Sequence, residues 1–137
     1  MSRTDFLAVP ALAVLLLVAG CGRSLLGPEL IGTWGGEHIL LTVAWDGATV
    51  EYDCAYGALA QPVVPDPGGN FDIPGTHVFE HGGPVREDEV PDEHPARYRG
   101  WTNGRRMTLS VTLTDTGQVI GPYELRFGRQ ALLFKCL

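Results

Sequence analysis

The sequence predicts an all-β fold, an up-and-down antiparallel barrel of about eight strands with one disulfide. Three observations carry that expectation. Asp46-Gly47 and Asn103-Gly104 each sit between runs of alternating apolar and polar residues, and such dipeptides accept the positive φ angles of tight hairpin turns. Met107, Leu109, Val111 and Leu113 alternate with Thr108, Ser110, Thr112 and Thr114, which marks a strand with one dry and one wet face. No segment beyond residue 20 carries a helical period. Half-buried strands joined by successive hairpins close on themselves most economically, because closure removes exposed edges.

The first twenty residues are read separately from the fold. Arg3 gives a basic start, and Phe6 to Val18 is an apolar run broken only by Pro10, too short to span a bilayer and the right length for the core of an export signal. It ends in Leu17-Val18-Ala19-Gly20-Cys21, which resembles the lipobox of bacterial lipoproteins. The resemblance implies cleavage before Cys21 and acylation of that cysteine. Residues 1–20 are then the signal, 21–31 a tether and 32–137 the barrel. Gly22, where aspartate is absent, resembles lipoproteins sent to the outer membrane, so a lipid-anchored place in the cell envelope is expected.

Along the barrel the predicted strands are Glu37 to Trp45, Thr49 to Tyr56, Asn70 to Ile73, Thr76 to Glu80, Ala96 to Thr102, Arg105 to Asp115, Val119 to Phe127 and Ala131 to Cys136. Pro74-Gly75, Thr116-Gly117 and Gly128-Arg129 supply the further turns. Val50, Tyr52, Cys54 and Tyr56 are assigned to one inward face. Of three cysteines, acylation of Cys21 leaves Cys54 and Cys136 to pair in an oxidising compartment. In a closed barrel the first strand stands between these two, and Gly35-Gly36 predicts that this strand starts late, so that its neighbours converge at a rim shared with Trp34.

Gly32-Thr33-Trp34, placed before the first predicted strand, resembles the Gly-x-Trp signature that opens lipocalin-type barrels. That likeness implies a tryptophan plugging the closed end, capped by a late arginine, with Arg126 and Arg129 as candidates. The longer run Gly32-Thr33-Trp34-Gly35-Gly36 also resembles nitrobindin-type haem barrels, which offer a late histidine to iron. No histidine follows His94, and no cofactor is expected.

The residues that could carry chemistry are few. His77, Glu80 and His81 lie within five positions, and His38 could add a nitrogen from the first strand, which makes these four the candidate metal ligands. On a regular strand, however, Glu80 faces away from both neighbouring histidines. Tyr52, Tyr98 and Tyr123, with His77, are the candidates to line a cavity for a small apolar or amphipathic ligand. Glu87 to Pro95 is an acidic, proline-bounded loop or flap, which Arg97 and Arg99 could pair. Neither a nucleophile with its base nor a phosphate-binding glycine loop can be read, so catalysis is not expected. The net charge of −6 excludes a surface built for nucleic acid. The expected function is a non-enzymatic binding module, with the membrane, a small ligand or an envelope protein as partner. An alternative is an inhibitor of a lysozyme-type hydrolase, since Val50-Glu51-Tyr52-Asp53-Cys54 is loosely similar to the early cysteine strand of the bacterial lysozyme inhibitors.

Overall fold

A computed structural model describes residues 30–137, so the signal segment, Cys21 and the tether as far as Glu29 lie outside the described residues. Eight strands follow one another: β1 (Gly32–Gly36), β2 (Ile39–Val43), β3 (Ala48–Tyr52), β4 (Ala55–Leu59), β5 (Asn70–Phe79), β6 (Asp92–Thr102), β7 (Arg106–Leu113) and β8 (Val119–Phe127). Each is antiparallel to the next, and β8 pairs back onto β1 to close the barrel. At the end called upper here lie the β1–β2, β3–β4 and β7–β8 turns and the β5–β6 loop. The other, lower end holds the β2–β3 and β6–β7 turns, the β4–β5 loop and Leu30, where the chain enters the barrel.

Alternation places the core inside. Ile39, Leu41, Val50, Met107, Leu109, Val111, Leu113 and Leu125 are all buried there around Trp34 and Tyr98. Burying each aliphatic side chain contributes roughly 1.5–3 kcal/mol relative to exposure. The Trp34 indole donates to the Leu30 carbonyl at 2.9 Å and meets Phe127 edge-on at 5.2 Å. Leu30, placed in the tether by sequence, is therefore buried against the core.

The barrel and its disulfide agree with expectation, but four strand assignments do not. Gly32–Gly36 is a strand despite its three glycines, because close approach demands them: a Cβ on Gly35 would stand 2.0 Å from the Arg129 carbonyl oxygen. Ala55–Leu59 is a separate strand, since the chain turns at Asp53-Cys54, and that turn throws Tyr56 to the outer face, where it is exposed. Asn70–Phe79 is one strand rather than two. Pro74 is tolerated within it because its carbonyl accepts from Ala60 N–H, which puts its own nitrogen on the side facing β4, beyond the last β4–β5 pair at Leu59 and Gly75. Ala131 to Cys136, finally, joins no sheet beyond a single parallel bridge between Glu37 and Leu132.

That tail explains the disulfide. Cys54 lies in the β3–β4 turn and Cys136 near the chain end, with Cα atoms 5.3 Å apart. The first strand does not start late to let them meet. Instead the tail runs outside β1: Leu132 N–H donates to the Gly36 carbonyl, His38 N–H to the Leu132 carbonyl, and Cys136 N–H to the Asp53 carbonyl. Trp34 does not share this rim, because its neighbour Phe127 ends β8 at the lower end. Nor does an arginine cap it: Phe127 and Leu30 do, while Arg126 and Arg129 are exposed.

Candidate functional site at the barrel mouth

Three strands bring aromatic side chains to the upper end. Tyr52 is the last residue of β3, His77 and Phe79 are successive inward positions of β5, and Tyr123 comes from β8. With Ile120 and the disulfide residue Cys54 they line an open cavity of about 270 Å³, with His38 and Asp53 on its rim. The rings form a chain across the mouth. His94 meets Phe79 at 5.6 Å, Phe79 meets His77 at 4.8 Å, His77 meets Tyr52 at 5.2 Å and Tyr52 meets Tyr123 at 5.5 Å.

Polar atoms on these rings are unequally satisfied. Tyr98, deeper in the barrel, donates its hydroxyl to the Thr76 carbonyl at 2.7 Å. The Tyr52 hydroxyl and both ring nitrogens of His77 are buried without a hydrogen-bond partner. Leaving such a group unmatched costs about 1–3 kcal/mol, so the site holds a polar demand that the barrel does not meet. Burial, and then the His94 charge across the strand pair, push the His77 pKa down, which keeps its ring neutral with one donor and one acceptor nitrogen. Burial drives the Tyr52 hydroxyl far up and that of Tyr98 to about 12, while Tyr123 is raised by burial and by the nearby Asp53 charge. All three phenols stay protonated at neutral pH. These polar atoms lie just beneath the cavity wall, so a group that both donates and accepts meets them only when the Tyr52 and His77 rings turn toward the mouth.

The rim is held by the tail. Asp53 accepts from Phe134 N–H at 2.8 Å and from His38 Nδ1 at 2.6 Å, and Lys135 donates to the Tyr52 carbonyl at 2.9 Å. The Phe134 amide, then His38 and Lys135, hold the Asp53 carboxyl below its ordinary range. His38 adopts φ of 65°, unusual for a residue with a side chain, and its contacts with Asp53 and Leu132 fix it there.

Of the residues singled out by sequence, Tyr52, His77, Tyr123 and His38 come together at this cavity. Tyr98 does not line it, being fully buried in the core. Glu80 is exposed, and His81 belongs to the β5–β6 loop, where it pairs with Glu89. Among the described residues, no three His, Cys, Asp or Glu side chains are grouped to hold an ion. Arg97 and Arg99 both pair with Asp72, at 2.8 and 3.0 Å, rather than with the acidic loop. Sequence reasoning missed Phe79, which the same alternation as His77 could have found, and Ile120, which it could not, because a register shift between Leu109 and Val111 breaks the phase of β8.

Comparison of this chain with protein-family models, with curated proteins and with solved structures finds no match.

Proposed function

We propose that this protein is an exported, lipid-anchored binding module, not an enzyme, that holds a small amphipathic molecule in the upper mouth of its barrel. The observation that carries the reading is the pairing of an open, ring-lined cavity with the two buried His77 nitrogens, which have no partner among the described residues, and the Tyr52 hydroxyl, which has only the Tyr98 hydroxyl beside it. The signal and lipobox resemblance at Leu17 to Cys21 supports the anchor and a place in the cell envelope, on the outer membrane.

Size narrows the ligand. A cavity of roughly 150 Å³ holds benzene, and typical ligand sites start at roughly 300 Å³. At about 270 Å³ the mouth suits a molecule of one or two rings, or a short chain, bearing a hydroxyl or amide-like group for His77 and Tyr52. Aromatic walls favour the flat partner.

Titration of the protein with small apolar fluorophores and with phenols that displace them tests this reading. One-to-one binding is expected, weakened roughly tenfold by Tyr52→Phe or His77→Phe, the equivalent of about 1.4 kcal/mol per lost hydrogen bond. Tyr56→Phe, on the outer face, should bind as the wild type does. Absence of saturable binding, or equal affinity in all variants, would overturn the reading and turn attention to a protein partner.

A further inference from the structure

The described charges are unevenly spread along the barrel axis, with Arg86 and Lys135 as cations near the upper end and Asp46 and Asp66 as carboxylates of the lower. Glu37, Asp53, Glu80, Glu87, Asp88, Glu89, Asp92, Glu93 and Asp115 all lie at the upper end, in its turns, its loop and the strand ends beside them. Four arginines lie at the lower end: Arg105 in the β6–β7 turn, Arg106 at the start of β7, Arg126 near the end of β8, and Arg129 just beyond it. All four are exposed, and none has a carboxylate within salt-bridge distance among the described residues. Arg106 and Arg126 are direct cross-strand partners, an arrangement that like charges make unfavourable unless an anion sits between them.

Three of these arginines surround a hollow. A depression of about 240 Å³ on the outer face is lined by Trp101, Arg106, Arg126 and Arg129, with Glu124 as its one carboxylate. Trp101 is 40% exposed, and Trp45, in the β2–β3 turn of the same end, is 74% exposed. Indoles that are part apolar and part polar settle where lipid headgroups meet acyl chains. Leu30, where the preceding residues join the barrel, is at this end too, and the stretch from Cys21 to Leu30 reaches at most about 30 Å.

We propose that Trp101, Arg106, Arg126 and Arg129 form a site for the phosphate headgroup of an anionic phospholipid, which seats the lower end on the membrane and turns the ring-lined mouth away from it. The site does not depend on what the mouth binds. It shares with the functional reading only the membrane anchor. Charge favours the same orientation chiefly by repulsion, since an anionic surface repels the acidic upper end, while Asp46 and Asp66 offset part of the arginine charge at the lower. Guanidinium groups match phosphate oxygens two at a time, which a scattered surface charge would not.

The experiment uses the full chain carrying Trp45→Phe, reconstituted in vesicles of phosphatidylcholine brominated in its acyl chains, with and without phosphatidylglycerol. Trp101 then reports contact, against a constant background from the buried Trp34. Quenching of Trp101 is expected to rise with anionic lipid, to fall with salt, and to be lost in the R106Q, R126Q, R129Q triple variant, since each arginine shifts the surface equilibrium roughly fivefold. Equal quenching on neutral and anionic vesicles, or an unchanged triple variant that retains its β spectrum, would overturn the site. Inorganic phosphate without vesicles should bind the wild type and the triple variant equally weakly; saturable binding to the wild type alone would make free phosphate, and not lipid, the occupant. Flotation on neutral vesicles reads the anchor alone, so a protein that fails to float there yet is quenched on anionic vesicles refutes the anchor and keeps the site.

Discussion

At His77 packing and hydrogen bonding conflict. The ring is packed between Tyr52 and Phe79, yet neither nitrogen is bonded, so the barrel carries a cost that a phenylalanine would not. His77→Phe should therefore raise stability by about 1–3 kcal/mol while it weakens ligand binding roughly tenfold, a combination that a purely structural histidine would not show. Urea midpoints beside the binding titration would reveal it, and a destabilised variant would contradict it. The pH dependence has a definite sign. His77 has its folded pKa below the unfolded value of about 6.5, so as pH falls through that value the unfolded chain takes up the proton first and stability drops. His94 acts the other way: Asp115, then Asp92, raise its pKa, and its stabilisation is complete below the unfolded value and lost as pH rises through the folded one. His77→Phe should flatten the acid loss, and His94→Gln should steepen it. Unfolding midpoints measured across this range would sink the assignment if either variant kept the wild-type slope. At this scale the sequence was informative about Tyr52, Tyr123 and His77 because inward phase is written in alternation. It was silent on which polar atoms lack partners, since that depends on three strands meeting.

Among the elements, the tail and β1 depend on each other. The tail lies across the outward side of Gly35 and ends in the bridge to Cys54, which closes a loop of 82 residues. In the chain-entropy model that bridge contributes about 4–5 kcal/mol, so Cys54→Ser with Cys136→Ser should lower the unfolding free energy read from urea titration by that amount yet keep the β spectrum. Free thiols found by alkylation of the native protein would refute the bridge. Gly35→Ala sets a methyl against the Arg129 carbonyl and should cost about 1–3 kcal/mol, read from the same titration. A variant of unchanged stability would show that the tail yields without loss. These elements were the least legible in the sequence. The hairpins at Asp46-Gly47 and Asn103-Gly104 were plain, because the turn residues announce them. Gly32–Gly36 lacks strand-forming side chains and is held by partners distant in sequence, whereas Ala131 to Cys136 has apolar residues in strand-like order but lies outside the sheet. The expected total of eight strands held because two omissions were offset by one strand divided and one invented.

For the molecule as a whole, the proposed anchorage and the proposed binding fit one geometry. Acyl chains on Cys21 would hold the lower end, and several chains make the attachment stable where one is marginal. Cys21→Ser should leave the protein unprocessed or free of the membrane, and labelled fatty acid failing to enter the wild type would refute the anchor. The interior below the mouth is filled, since Tyr98, Leu109, Val111 and Leu113 are fully buried, so ligand size is limited by the upper cavity rather than by the barrel. Tyr98→Ala should accordingly cost about 3–5 kcal/mol as a core truncation, measured by urea unfolding, and a milder loss would mean that the interior is looser than its burial implies. Closure was predictable from the hairpin succession, but the polarity of the two ends was not, because charges distant in sequence gather only once the strand order is known. The central claim is that His77 is an empty hydrogen-bonding group awaiting a ligand in the mouth, and its ring resonances in nuclear magnetic resonance report this most directly. Titration of the labelled protein with a small phenol should shift the His77 signals to one-to-one saturation, in parallel with Tyr52 and without moving those of the exposed His81. Unmoved His77 signals at saturating phenol would contradict the account.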